Sequence, residues 1–270
     1  MTELRWLDCA PQAAGKNPPG RTPEGTVVYA VGDIHGRHDL LSCLLQGIEQ
    51  DCRNKLRART AVVYLGDYLS RGEDSRAVID TVVCWRPQVA GQVQIVTLKG
   101  NHEDLALRYL HGEMDAGRHW FDYQGLSALA HYGVVAPDPQ ARDEASLLSL
   151  RHRFRQALPA QHMAFLQALA VSHDERDYRF VHAGVRPGVA LCEQSAHDQM
   201  WIRQRFLESD ADHGAIVVHG HSIAAQPQVR GNRIGVDTGA YASGVLTCLV
   251  LEGSERAFLQ AVGAPIPDQG

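Results

Sequence analysis

The sequence predicts an α/β domain, and three observations carry that prediction. Short β-branched runs recur along the chain and end on glycine. Segments of helical periodicity lie between them. Polar, chemistry-bearing residues follow nearly every run. Strand, loop, helix, strand is the βαβ pattern of a parallel sheet. In order, residues 1–24 are rich in proline and glycine and are expected to be a loosely packed arm. TVVYAV (26–31) ends at Gly32, AVVYL (61–65) at Gly66 and VQIVTL (93–98) at Lys99-Gly100. Each is apolar on both faces, as a strand inside a covered sheet should be. Helical patterns at 40–50 and 75–85 connect them, and 103–170 is expected to be mainly helix with loops. Later strands are expected at 178–184, 215–221, 233–239 and 245–252, the last two as an antiparallel pair joined through 240–244. No linker divides the chain. The expectation is one domain over 25–255, preceded by the arm and followed by a tail over 256–270.

Composition narrows the function classes. Apolar residues at 44% and charged residues at 21% exclude a wholly disordered chain. No stretch approaches the ~18 consecutive apolar residues of a membrane helix, and the N-terminus has no apolar core of a secretory signal. A net charge of −5 disfavours a globally basic nucleic-acid binder. Neither nucleic acid nor membrane is therefore an expected partner. Six cysteines without a CxxC pair are expected to be reduced thiols in a cytoplasmic protein.

The chemistry falls at the strand ends. They read Gly32-Asp33-Ile34-His35-Gly36, Gly66-Asp67, Gly100-Asn101-His102-Glu103, His182-Ala183-Gly184 and His219-Gly220-His221. In α/β sheets ligands bind beyond the carboxyl ends of the strands, so Asp33, His35, Asp67, Asn101, His182 and His221 should converge. Asp33, Asp67 and Asn101 are spaced 34 residues apart, about one βαβ unit, which puts them on adjacent strands. A mixed oxygen and nitrogen set suits Mn, Fe or Zn better than an all-oxygen Mg or Ca site. Six ligands with one bridging carboxylate suffice for two metals with open positions. A lone GDxHG is equally a turn with an aspartate N-cap, and a lone strand-end histidine is more often structural. Five such ends in series are improbable by accident.

GDIHG, GDYLSRG (66–72), GNHE, HAG and HGH in this order resemble the PPP family of phosphoprotein phosphatases, whose bacterial branch includes diadenosine tetraphosphatases. MWIRQRF (200–206) and NRIGVDTGAYASG (232–244) are also similar to that branch, and the resemblance runs from about residue 27 to 251. It implies a metallophosphoesterase-type β-sandwich flanked by helices in four layers. Asp33, His35 and Asp67 would hold one metal; Asp67, Asn101, His182 and His221 would hold the other. Position 223 is Ile, where wider metallophosphoesterases often carry a further metal-binding His, and this too matches the PPP branch. His219 stays open between a supporting role behind the metal ligands and a backbone-bonded strand-end histidine.

The implied activity is a phosphomonoesterase, a protein phosphatase first and a diadenosine tetraphosphate hydrolase as the alternative. A hydroxide held between two divalent ions, Mn2+ first with Fe or Zn as options, would attack phosphorus in line without a phosphoenzyme. Arg71 and Arg203 would clamp the phosphoryl oxygens, and His102 would protonate the leaving group. Without the resemblance, Arg71 reads as a surface partner of Glu73 or Asp74, and Arg203 as part of a solvated helix face. One departure stands out. Many protein phosphatases of the family carry Asp where this chain has Ser70, and that Asp pairs with the catalytic histidine. Trp120, Phe121, Tyr123 and Tyr132 either stack a purine or pack the helical region against the sheet, the second being favoured. A third reading, a metal-bound binding module, is disfavoured by the intact ligand set. The substrate is a phosphorylated protein or small phosphoester; the sequence leaves oligomeric state open.

Overall fold

A computed structural model describes residues 2–9, 20–55, 57–89 and 91–266. The elements run β1 (Glu3–Asp8), β2 (Thr26–Val31), α1 (His38–Asn54), β3 (Arg59–Tyr64), α2 (Ser75–Cys84) and β4 (Gln92–Thr97). Five helices follow: α3 (Asn101–His111), α4 (Met114–Asp122), α5 (Gly125–His131), α6 (Glu144–Ala157) and α7 (Ala160–Ala168). Then come β5 (Ser172–Glu175), β6 (Tyr178–Val181), α8 (Ala196–Trp201), α9 (Gln204–Leu207), β7 (Ile216–His219), β8 (Gln228–Val229) and β9 (Arg233–Gly235). The chain closes with α10 (Ala240–Ser243), β10 (Val245–Glu252) and β11 (Glu255–Val262). The strands form two mixed sheets, ordered β1-β11-β10-β2-β3-β4 and β5-β6-β7-β9-β8.

The sheets pack face to face, and the period-two alternation of strand side chains decides which residue goes where. In β2, Val27, Tyr29 and Val31 face the helices while Val28 and Ala30 face the second sheet. In β3, Val62 and Tyr64 take the helical side, Ala61 and Val63 the sandwich. Both faces are covered, which is why these runs carry no polar alternation. The outer layers are unequal. The first sheet is backed by a core that includes Trp120 and Phe154, the second by a small cluster of Val181, Val185, Phe206 and Val217.

Four expectations are corrected. Residues 3–8 are not part of a loose arm: they pair along their whole length with 257–262. The same strand, β11, lies between β1 and β10, so the domain does not end at 255. β1 is largely exposed and β11 is buried without a break over Phe258–Ala261, so neither carries the clean period-two alternation that marks a strand. The remaining expected arm residues 10–19, and 267–270 of the tail, lie outside the described residues. β4 is an edge strand with Gln92 and Gln94 exposed, so it is covered less than β2 and β3. Finally, β9 and β10 do not pair. Left-handed Gly239 (φ 67°) and Gly244 (φ 73°) bracket α10 and swing the chain from the second sheet to the first. Among the described residues no helix is long and apolar enough to cross a membrane.

Candidate metal centre

Strands β2, β3 and β4 are parallel neighbours, as are β6, β7 and β9. Their carboxyl ends carry Asp33, Asp67, Asn101, His182, His221 and Asp237, all buried. The 34-residue spacing therefore does what it predicts. Asp33, His35, Asp67, Asn101 and His221 line one cavity of about 290 Å³ with Arg71, Tyr123, Trp201, Arg203, Ile223, Asp237 and Tyr241.

Asp67 is central. Its carboxylate lies 3.3 Å from His35 Nε2, 3.6 Å from His182 Nε2 and 4.0 Å from His102 Nε2. Ligand-type atoms gather in two triads that share it: His35, Asp67 and His102, and Asp67, His182 and His221. Asp33 stands outside the first triad, where the sequence reading placed it. Its two oxygens accept the His221 N–H at 3.2 and 3.0 Å, which clasps the two sheets together. Asn101 Oδ1 is 3.0 Å from His182 Nε2.

The histidines are oriented for lone-pair donation. His35 Nδ1 sits 2.9 Å from the Leu69 carbonyl and His182 Nδ1 2.9 Å from the Leu65 carbonyl. A carbonyl can only accept, so each Nδ1 carries the proton and each Nε2 presents its lone pair to Asp67. Burial pushes the His182 pKa down, against a double proton there. His221 Nε2 is buried without a hydrogen-bond partner among the described residues. Lone pairs that face one another and an orphaned ring nitrogen fit a bound cation.

The carboxylates say the same. Burial, then Asp237 and Asp67, hold the Asp33 carboxyl well above its usual range, and burial raises that of Asp237. Burial opposes ionisation of Asp67 as well, but His182, His102 and His35 crowd around it, and any proton they take up holds the group low. For these buried acids to ionise together, a compensating cation is needed.

Local backbone explains how so many groups fit. A Cβ on Gly100 would lie 2.0 Å from Asp67 Oδ1, and one on Gly220 2.0 Å from Asp33 Oδ1. Only glycine leaves room there. Among the described residues seven non-glycine residues have left-handed φ, and five of them are His35, Asp67, Ser70, Arg71 and His221. Such strain, about 1–3 kcal/mol each, persists where surroundings impose it and clusters at functional sites.

The profile of the calcineurin-like phosphoesterase family matches residues 26–237, most of the chain. The chain belongs to that family. It is 29% identical over 159 residues to the symmetrical bis(5'-nucleosyl)-tetraphosphatase of Cellvibrio japonicus, covering 59% of this chain and 45% of that protein. This chain thus spans less than half of that relative's length. It is 25% identical over 229 residues to serine/threonine-protein phosphatase 2 of Escherichia coli, covering 82% of this chain and 90% of that protein. The crystal structure of a putative diadenosine tetraphosphatase superposes with a TM-score of 0.52 at 19% identity, over 87% of this chain and 90% of that chain. That likeness shows the sandwich fold, and the family uses divalent metals.

The remaining expected residues of this metallophosphoesterase also have defined places. Among the described residues neither Arg71 nor Arg203 is in an ion pair. Both guanidinium groups line the cavity, with Arg71 4.5 Å over the Tyr241 ring. Asp74, the expected surface partner, instead caps α2 by accepting the Ala77 N–H at 2.8 Å. His102 is buried, and among the described residues its Nδ1 has no partner. Ser70, also buried, accepts the Trp120 Nε1–H at 2.9 Å. His219 packs edge-on against Phe206, does not line the cavity and has its pKa pushed down to about 4 by burial. Trp120, Phe121 and Tyr132 belong to the helical core, as the packing reading held, whereas Tyr123 is 46% exposed at the cavity mouth.

Sequence reasoning missed two buried acids. Asp237 follows β9 as Asp33 follows β2, so the strand-end rule applied to RIGVDTG would have found it. Glu103 accepts four backbone N–H groups: Asp67 (2.8 Å) and Gly100 (3.1 Å) on Oε2, Tyr68 (2.9 Å) and Leu69 (3.0 Å) on Oε1. Burial, then Asp67, push its pKa up to about 8 against the bonds from Leu69, Asp67 and Gly100. It holds the loop that presents Asp67.

Proposed function

We propose that the chain is a metal-dependent phosphomonoesterase acting on phosphoproteins. The observation that carries this is the pair of triads sharing Asp67, overlooked by two arginines that among the described residues form no ion pair. Asp33, His35 and Asp67 would hold one ion and Asp67, Asn101, His182 and His221 the other, with Mn2+ preferred over Fe or Zn. When bound, two such ions supply Lewis acidity and a strong nucleophile at neutral pH. The chain's own residues do the rest. Arg71 and Arg203 bind and orient the phosphoryl oxygens, whose charge grows toward the transition state. His102 passes a proton to the leaving oxygen, a step typically worth 10²–10⁴-fold. Six free cysteines support a reducing, cytoplasmic setting.

The test is kcat/KM in Mn2+ for a phosphopeptide panel beside diadenosine tetraphosphate. The relatives' names make that dinucleotide the alternative substrate. Preference for phosphopeptides, with two Mn2+ per chain, is the expected result. Preference for the dinucleotide would move the chain to the alternative, and no turnover on either would sink the reading.

A further inference from the structure

The cavity has two sides. Arg71 and Arg203 stand where a phosphoryl group would be held, and an aromatic surface stands at the mouth. Of the three large rings at the end of α4, Trp120 and Phe121 are buried and Tyr123 is not. Its ring centroid lies 6.2 Å from that of His102 and 6.4 Å from that of Trp201, which is itself stacked on His197 at 16°. The chain fixes it there. Gln124 is left-handed (φ 62°), and a Cβ on Gly125 would lie 2.6 Å from Trp120, so the turn after Tyr123 is wedged against the core. A half-exposed ring beside the proposed proton donor is a stacking platform on the leaving-group side.

A second observation points to the same class of leaving group. Among the described residues nothing bonds His102 Nδ1, and the Ser70 hydroxyl already accepts from Trp120. Among the described residues no carboxylate bonds Nδ1, and Asp67 lies 4.0 Å from Nε2 on the other side of the ring, so delivery of a proton to a departing alkoxide is poorly oriented. An aryl oxide with a pKa of about 10 departs with less help.

We infer that Tyr123 is a specificity-determining residue that receives the aromatic leaving group of an aryl phosphate monoester, a phosphotyrosyl residue being the protein-borne case. This rests on the phosphomonoesterase reading above. Water adds to phosphorus, the P–O(aryl) bond breaks, and the aryl oxide takes up a proton, leaving phenol and inorganic phosphate.

The experiment compares the wild-type chain, Tyr123→Ala and Tyr123→Phe, all in Mn2+. Substrates are phenyl, benzyl and ethyl phosphate and one peptide in phosphotyrosyl and phosphoseryl forms. Benzyl phosphate keeps the ring but leaves as an alkoxide, so it separates stacking from leaving ability. The wild type should favour phenyl phosphate and the phosphotyrosyl peptide. Tyr123→Ala should lower kcat/KM on every ring-bearing ester by roughly 2- to 12-fold more than on ethyl phosphate. Tyr123→Phe should keep most of that selectivity. Equal losses on all esters, or a Phe variant as impaired as Ala, would overturn the inference while leaving the phosphatase reading intact. So would wild-type preference for the phosphoseryl peptide. Wild-type inactivity on every ester would instead show that the phosphatase reading itself had failed.

Discussion

At the floor of the cavity Asp33, His35, Asp67, Asn101 and His221 are each no more than 6% exposed, and glycines and left-handed backbone hold them. At the mouth Tyr123 and Ile223 are 46% and 53% exposed and sit on a helix end and a loop. The floor is built by parallel strands that stop at the same level, so its geometry follows from the sandwich. The mouth is built by the helical insertion between β4 and β5 and by the turns after α8 and β7, which the sandwich does not dictate. Floor residues should therefore fail sharply when altered, mouth residues gradually and in a substrate-dependent way.

The sharpest break is a single methyl group. Gly100→Ala puts a Cβ 2.0 Å from Asp67 Oδ1, and Gly220→Ala does the same to Asp33. Either should cost at least ~10²-fold in turnover, the scale of a 1 Å misplacement, and should lower the Mn2+ content of the folded protein. Native turnover with full metal content in Gly100→Ala would show that the floor yields. Next comes Glu103→Gln. The amide keeps one acceptor oxygen and turns an NH2 toward backbone N–H donors that the carboxylate now satisfies. A loss of 10–100-fold in Mn2+ affinity or activity is expected, typical of residues that support metal ligands. Titration calorimetry on the variant measures it, and unchanged affinity would make Glu103 merely structural.

Legibility follows the same division. Asp33, Asp67 and Asn101 could be placed because strand ends and a 34-residue spacing constrain them, and the period-two pattern gave β2 and β3. Glu103 was visible only as a letter in GNHE, because four bonds to another loop leave no local signature. Tyr123 could not be told from Trp120 and Phe121, since which ring of a helix end faces out depends on Gln124 and Gly125. β1 and β11 were missed because a terminal strand shows itself only through its partner.

The third test uses pH. Asp33 and Asp237 are raised by burial first and, for Asp33, by their mutual repulsion. In chelator-treated protein they retain protons that the unfolded chain releases near pH 4. The stability they bring is present in acid and lost as pH rises through their raised pKa values. Asp67 has the opposite sign: it is held low, so its contribution is lost only on acidification. From pH 5 to pH 8 Glu103, pushed up to about 8, acts in the same direction, and histidines held low by burial, such as His182 and His219, act in the opposite one; comparing loaded with chelated protein isolates the first effect. A bound cation removes it, so the Tm gap between Mn2+-loaded and chelated protein should widen with pH. The gap should reach roughly 5–10 °C at a hundredfold excess over Kd. A constant or narrowing gap would mean that the carboxylates are compensated without metal.

The smallest effect belongs to the boundary between floor and mouth. Ser70 lies on the Asp67 loop, yet its hydroxyl accepts from Trp120 of the helical insertion. It has a left-handed φ of 74°, a conformation in which aspartate is among the better tolerated side chains. By the family resemblance a Ser70→Asp carboxylate would pair with His102, whose Nδ1 has no partner among the described residues. An imidazole held by a carboxylate is a better-oriented proton donor, and proton donation matters most when the leaving oxygen is basic. The variant should therefore raise kcat/KM on ethyl phosphate relative to nitrophenyl phosphate by up to roughly 10-fold, a fraction of what general acid catalysis can supply. The ratio of the two rates is the measurement, because a general loss from burying a charge beside Trp120 cancels in it. An unchanged or lower ratio would mean that His102 is already positioned by the rings around it. The preference for aromatic leaving groups would then rest on Tyr123 alone.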